Sequence, residues 1–239
     1  MQLTIVMDGE DLATRALALF VSAAHEAIAT RRVFHVAIPG GRTPRRFFEL
    51  LAQDPRAVDW SKVHVFWTDE RFVPPDHPES NYRLAFDTFL ARVPIPRSNI
   101  HRIPTDLTTA RDAARSYERT LRDVFSLKDD RIPSFDLMIL GMGSDGHTAS
   151  VFPYSNAVTE KDCLVCAVPR PDGPFRITLT PPVLCAVRRI VVLISGTDKA
   201  AILSQVLSCP PDPLRYPIHL LWPVLDRVTW VVEQSAASG

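Results

Sequence analysis

The sequence predicts an α/β protein with a mostly parallel sheet flanked by helices on both faces. Two observations carry that expectation. Apolar runs of strand length alternate with amphipathic helical stretches along the chain, the pattern of repeated strand–helix–strand units. Four of those runs also empty into polar clusters, at 40–43, 69–71, 141–147 and 196–199, and in a parallel sheet such ends share one rim. We read 1–239 as a single α/β domain, because no Gly/Ser linker, repeat or charge block marks a boundary. Hydrophobic residues make up 46% of the chain, enough for a substantial core.

A first strand is expected at 3–7, with Asp8 capping a helix whose apolar face runs from Leu12 through Phe20 to Ile28. The run 33–38 is a second strand. It opens into Pro39-Gly40-Gly41-Arg42-Thr43-Pro44 and then a helix carrying Phe47, Phe48 and Leu51. Thr43 suits the N-cap and Pro44 the first helical position. Two glycines before a helix leave backbone N–H groups free for an anion, although an ordinary turn has the same composition. The third strand, VHVFW at 63–67, ends in Thr68-Asp69-Glu70-Arg71. A proline-stiffened loop follows, and Ser80 and Asn81 open the next helix. Thr109 and Asp112 form a capping box before a helix with Tyr117 and Leu121 inward.

The richest stretch is FDLMILGMGSDGHTASVFP at 135–153. A buried strand breaks into Gly141, Gly143 and Gly146, and the turn holds Asp145 and His147. Glycines there permit close backbone approach, and a titratable pair in such a turn is a natural place for chemistry. The glycine spacing also matches a dinucleotide fingerprint. Pro153 follows seven residues after Gly146, which leaves no room for the long helix a pyrophosphate needs. Strands are expected at 163–168, 175–180, 189–195 and 228–232. Arg176, Thr178 and Thr180 share one face of the second of these. Lys199 opens a helix, where a cation is unfavourable unless an anion is shared. The tail from 235 to 239 is expected to fray.

Lys plus Arg and Asp plus Glu are both 27, so the net charge is zero. That balance argues against general nucleic-acid or anionic-membrane binding. No apolar run approaches the roughly 20 residues of a membrane span, and the N-terminus has no basic segment of a leader. Cys163-x-x-Cys166 lies in an apolar run with no second pair to complete a metal site. Reduced thiols in the cytoplasm are expected, with no metal and no cofactor.

In this order, PGGRTP, WTDERFVPPDHPESN, GMGSDGHTASVFP, RITLT and SGTDKA resemble the 6-phosphogluconolactonases. That family belongs to the superfamily that also holds the glucosamine-6-phosphate deaminases. The resemblance covers nearly the whole chain and implies a modified Rossmann-like fold of the sugar-phosphate isomerase/deaminase type. Deaminases continue past Asp-Gly-His into a segment with Asn-Glu-Pro; here 149–153 read ASVFP, with no glutamate. Arg71 also stands where deaminases tend to carry an aromatic residue. Arg42 is a departure, since many relatives have Ser at that point.

The resemblance implies hydrolysis of 6-phospho-D-glucono-1,5-lactone to 6-phospho-D-gluconate in the oxidative pentose phosphate pathway. Water is the nucleophile and His147 the general acid and base. Asp145 or Asp69 orients groups around it, and Arg71 stabilises developing negative charge. Gly40, Gly41, Arg42, Thr43, Gly143, Arg176 and Lys199 are the expected substrate contacts. The expected partner is the small-molecule lactone alone, with the chain a monomer or weak homodimer. A deaminase/isomerase-like enzyme and a non-catalytic sugar-phosphate sensor are the alternatives. A serine hydrolase is not expected, for there is no G-x-S-x-G elbow.

Overall fold

The structure is a computed structural model and describes residues 2–237. The chain runs through β1 (Gln2–Val6), α1 (Gly9–Arg31), β2 (Phe34–Ile38), α2 (Arg45–Gln53), β3 (Val63–Trp67), β4 (Asp69–Arg71), α3 (Asn81–Ala85) and β5 (Ile100–His101). It continues with α4 (Ala110–Val124), β6 (Leu137–Gly141), β7 (Val165–Val168), β8 (Arg176–Leu179), α5 (Pro181–Cys185), β9 (Ile190–Ile194), α6 (Ala200–Ser208), β10 (Val228–Glu233) and α7 (Gln234–Ala237). Seven strands form a sheet in the order β1-β10-β9-β6-β2-β3-β5, with every pairing parallel. The order reverses between β6 and β2. Strands β3 and β5 are added on one side and β9 and β10 on the other, so the carboxyl ends of β2 and β6 flank a crevice, the usual ligand position in such sheets.

Strand alternation explains how both faces come to be covered. Phe34 on one face of β2 meets Phe20 of α1 edge-on, with ring centroids 5.3 Å apart. His35 on the other face meets Phe125 at the end of α4, at 4.5 Å. Asp8 caps α1 as expected, accepting from the N–H groups of Glu10 and Asp11 at 2.9 Å each. At 23 residues, α1 is long and apolar enough to cross a membrane by length and composition. Here Leu12, Ala16, Phe20, Ala24 and Ala27 are buried, as in the core helix of a folded domain. The hydroxyl of Tyr117 from α4 accepts from Trp67 N and donates to Trp67 O, at 2.8 and 2.9 Å. It closes the backbone at the end of β3, where the parallel ladder stops.

Several expectations are corrected. Residues 69–71 are not a loop but β4, part of a second, three-stranded antiparallel sheet in the order β4-β8-β7. The alternation of apolar runs does not distinguish a hairpin such as β7–β8 from a crossover pair. Thr43 makes no cap bond: Pro44 takes the N-cap position, and a turn from Arg42 O to Arg45 N leads into α2. The tail does not fray at 235, because α7 runs to Ala237 with Ala236 buried. Residues 238 and 239 of that expectation lie outside the described residues.

Three histidines form a ladder across β2, β3 and β5. His35 lies in register with His64, and His64 Nδ1 is 3.0 Å from His101 Nε2. Burial, then the neighbouring His64, lowers both His35 and His101 to about 4. The unfolded chain therefore binds more protons than the folded one between about pH 6.5 and about pH 4, and the ladder's contribution to stability is lost as pH falls through that window. Replacing His101 by leucine is expected to flatten the slope of stability against pH there. Denaturation midpoints of both chains between pH 7 and pH 4 check this, and parallel slopes would contradict it.

Candidate active site

At the crevice between the ends of β2 and β6 lies a cleft of about 260 Å³. Pro39, Gly40, Gly41, Arg42 and Thr43 line it from β2, and Asp69 and Arg71 from β4. Gly141, Met142, Gly143, His147 and Ala149 come from the turn after β6, and Ser195, Asp198 and Lys199 from the turn after β9. The four polar clusters of the sequence thus share one cavity. They do so because parallel strands all deliver their carboxyl ends to the same edge.

The turn after β6 is built to present an imidazole. Asp145 Oδ1 accepts from His147 N at 3.1 Å and meets His147 Nδ1 at 2.5 Å. Nε2 of His147 is thereby the ring atom without a protein partner among the described residues. Burial would raise the Asp145 carboxyl, but the hydrogen bond and charge of His147 outweigh it and hold it at about 2. Asp145 is therefore an anion at every pH where the enzyme would work. Gly143 lies directly under the ring: a Cβ there would be 2.1 Å from His147 Nδ1 and Cε1. Gly146 adopts a positive φ of 81°, which glycine takes without strain.

Asp69 is 9% exposed and its carboxylate is occupied by hydroxyls. Ser150 Oγ donates to it at 2.6 Å and Thr68 Oγ1 at 3.2 Å. Ser150 N in turn donates to Thr178 Oγ1 at 3.1 Å, so the histidine turn is tied to both β4 and β8. Arg71 donates from Nη1 to Glu79 O at 2.8 Å and still lines the cleft. Lys199 Nζ pairs with Asp198 at 3.2 Å. The Arg42 side chain has no hydrogen-bond or ion-pair partner among the described residues; it is exposed and lines the cleft. Arg176 lies on β8 directly opposite Arg71 and is not among the residues lining the cleft.

Two residues were not singled out from the sequence. Glu70 is 1% exposed and accepts four hydrogen bonds: from Arg71 N and Asn81 N on Oε1, and from Tyr82 N and Ser80 Oγ on Oε2. Burial pushes it up to about 7 against the pull of those donors. It belongs to the polar cluster at 69–71 read from the sequence, but its role was hidden because its partners Ser80, Asn81 and Tyr82 lie beyond the loop that follows. Replacing Glu70 by glutamine puts an NH₂ group against N–H donors whichever way the amide turns. We expect a loss of about 1–3 kcal/mol in unfolding free energy, measurable by urea denaturation. Asn81, 2% exposed, lines the cleft and donates from Nδ2 to Asp69 O at 2.9 Å. A Cβ on Gly40 would be 1.7 Å from its Oδ1, so Gly40 is required for the approach of these two segments.

The thiols stand apart from this site. Cys163 is exposed, and burial raises the Cys166 thiol to about 12.

A parallel sheet with its cleft at the strand-order reversal, extended by a small antiparallel sheet, defines a Rossmann-like α/β protein of the sugar-phosphate isomerase type. The chain belongs to the family described as glucosamine-6-phosphate isomerases/6-phosphogluconolactonase, whose model matches residues 7–230. It is 38% identical over 238 residues to a 6-phosphogluconolactonase of Synechocystis sp., covering 100% of this chain and 98% of that protein. The solved 6-phosphogluconolactonase from Trypanosoma cruzi superposes with a TM-score of 0.89 at 26% identity, covering 100% of this chain and 96% of that one. A monomeric glucosamine-6-phosphate deaminase shares the fold, with a TM-score of 0.85 at 18% identity over 100% of this chain and 99% of that one.

Proposed function

We propose that this chain hydrolyses 6-phospho-D-glucono-1,5-lactone to 6-phospho-D-gluconate, as the resemblance implied. The observation that supports it most is one unpartnered imidazole nitrogen, His147 Nε2, in a cleft that also presents Arg42, Arg71 and Lys199. Water held at Nε2 gives up a proton to it while the oxygen attacks the lactone carbonyl carbon. The carbonyl oxygen becomes an oxyanion, which Arg71, lining the same cleft as His147, stabilises. As the intermediate collapses, the C1–ring oxygen bond breaks and the imidazolium returns its proton to the departing ring oxygen. The product is a carboxylic acid that ionises in water. Asp145 holds the ring by Nδ1, fixes the tautomer that leaves Nε2 as the base, and stabilises the imidazolium between the two proton transfers.

Arg42, Thr43 and Lys199, with the backbone of Gly40 and Gly41, hold the 6-phosphate, and Gly143 leaves room for the ring. Arg176, on β8 opposite Arg71, is a further contact of that phosphate. Asp69 positions the turn through Ser150. The same reading has the whole chain acting as one α/β unit in the cytoplasm on a free metabolite, as a monomer or weak homodimer.

A coupled assay tests the activity. Glucose-6-phosphate dehydrogenase forms the lactone in place, and its decay is followed with and without this chain. Decay at the spontaneous rate would refute the reading, and ammonia release from glucosamine 6-phosphate would replace it with the deaminase. Replacing Lys199 by alanine is expected to raise KM roughly 10- to 100-fold with kcat little changed, since it removes a charge-assisted contact present in ground and transition states alike.

A further inference from the structure

The loop between β7 and β8 reads PRPDGPF from 169 to 175, and nothing in its composition marks a functional residue. Its arginine nevertheless lands beside the site. The Arg170 guanidinium lies 3.8 Å above the ring of Phe152. The Phe152 and His147 ring centroids are 4.6 Å apart. Phe152 is 8% exposed, so the platform itself is fixed in the core. Among the described residues no carboxylate and no hydrogen-bond acceptor holds the Arg170 guanidinium.

Its surroundings are cationic. Arg71 and Arg176 stand directly opposite each other on β4 and β8, a placement of like charges that destabilises a sheet. Arg176 Nη1 is buried and has no hydrogen-bond partner. Burial, then the charges of Arg71 and Arg170, with Asp69 opposing, lower the Arg176 guanidinium from its usual value. Three guanidinium groups so arranged, one with a buried unpaired donor, need an anion to offset their repulsion and satisfy that donor.

We propose that Arg170 is a substrate-binding residue: its guanidinium, held ready on the face of Phe152, joins Arg176 in binding the phosphate monoester of the substrate, while Arg71 faces the lactone end. The proposal rests on the lactonase reading and deepens it, adding a recognition group from a loop outside the sequence motifs. Stacking on an aromatic face leaves the in-plane N–H groups of an arginine free to reach an anion, so the cation is pre-oriented without being neutralised.

Steady-state kinetics of Arg170→Ala and Arg170→Lys test it, with inorganic phosphate as a competitive inhibitor and melting temperature as the control for folding. Arg170→Ala is expected to raise KM for the phospholactone roughly tenfold or more and to weaken phosphate inhibition by a similar factor, with kcat within about twofold. Arg170→Lys is expected to recover only part of the loss, because an ammonium lacks the planar face that stacks on Phe152. An unchanged KM and phosphate inhibition constant would overturn the proposal. So would a fall in kcat with unaltered phosphate inhibition, which would make Arg170 a support for His147 acting through Phe152. Failure of the wild-type chain to turn over the phospholactone would instead overturn the reading beneath it.

Discussion

Replacing His147 by alanine is expected to lower kcat by roughly 10²–10⁴, the usual worth of a general acid and base, with KM for the phospholactone changed little. The geometry explains why the loss should fall on kcat. His147 meets Asp145 through Nδ1 and offers only Nε2 to the cleft, while the candidate phosphate contacts lie on other strand ends. Removing the ring therefore takes away proton transfer and leaves the cationic groups in place. Near-normal turnover in the variant would remove the imidazole from the mechanism. Asp145→Asn is expected to show a smaller loss in the same direction, because its amide can still hold the ring but no longer stabilises the imidazolium.

The second large effect is expected from a residue with no side chain. An alanine at position 143 would place its Cβ 2.1 Å from two atoms of the His147 ring and 2.7 Å from Asp145 Oδ1. Neither neighbour gives way freely, because the turn is closed by Gly143 N donating to His147 O at 2.8 Å and by Gly146 N donating to Gly143 O at 3.1 Å. The imidazole must move by an ångström or more, and displacement on that scale costs on the order of 10² in rate. Gly143→Ala should thus resemble a milder His147→Ala, with a lowered melting temperature from the crowded turn. A double-mutant cycle sharpens the test. If the added methyl acts only through the ring, Gly143→Ala should have no further effect once His147 is already alanine.

Much of this was legible in the sequence. The strand ends and their polar clusters could be read because glycine and charge interrupt apolar runs sharply at 40–43 and 141–147. The parallel order of the main sheet followed from the helices between strands. The small antiparallel sheet did not, because β4 is three residues long and only Thr68 separates it from β3. No periodicity can be measured over three residues. Asn81 and Arg170 were hidden for a different reason: their importance comes from contacts across 12 residues to Asp69 and across 18 to Phe152. Local composition carries no trace of such pairings. Arg176, by contrast, was expected at the ligand because RITLT resembles the family's phosphate-binding segment.

The four bonds onto Glu70 have a consequence for how this region could change over generations. They clasp the chain at Arg71 on one side and at Ser80, Asn81 and Tyr82 on the other, like a buckle at the neck of a loop. Provided Glu79 O still meets Arg71, and Asp76 O and His77 O still accept from Arg83 Nη1 and Ser80 N, the stretch 73–75 can lengthen, shorten or exchange its prolines without disturbing the reacting groups. It is therefore the natural place for new surface to be grafted beside an unchanged cleft.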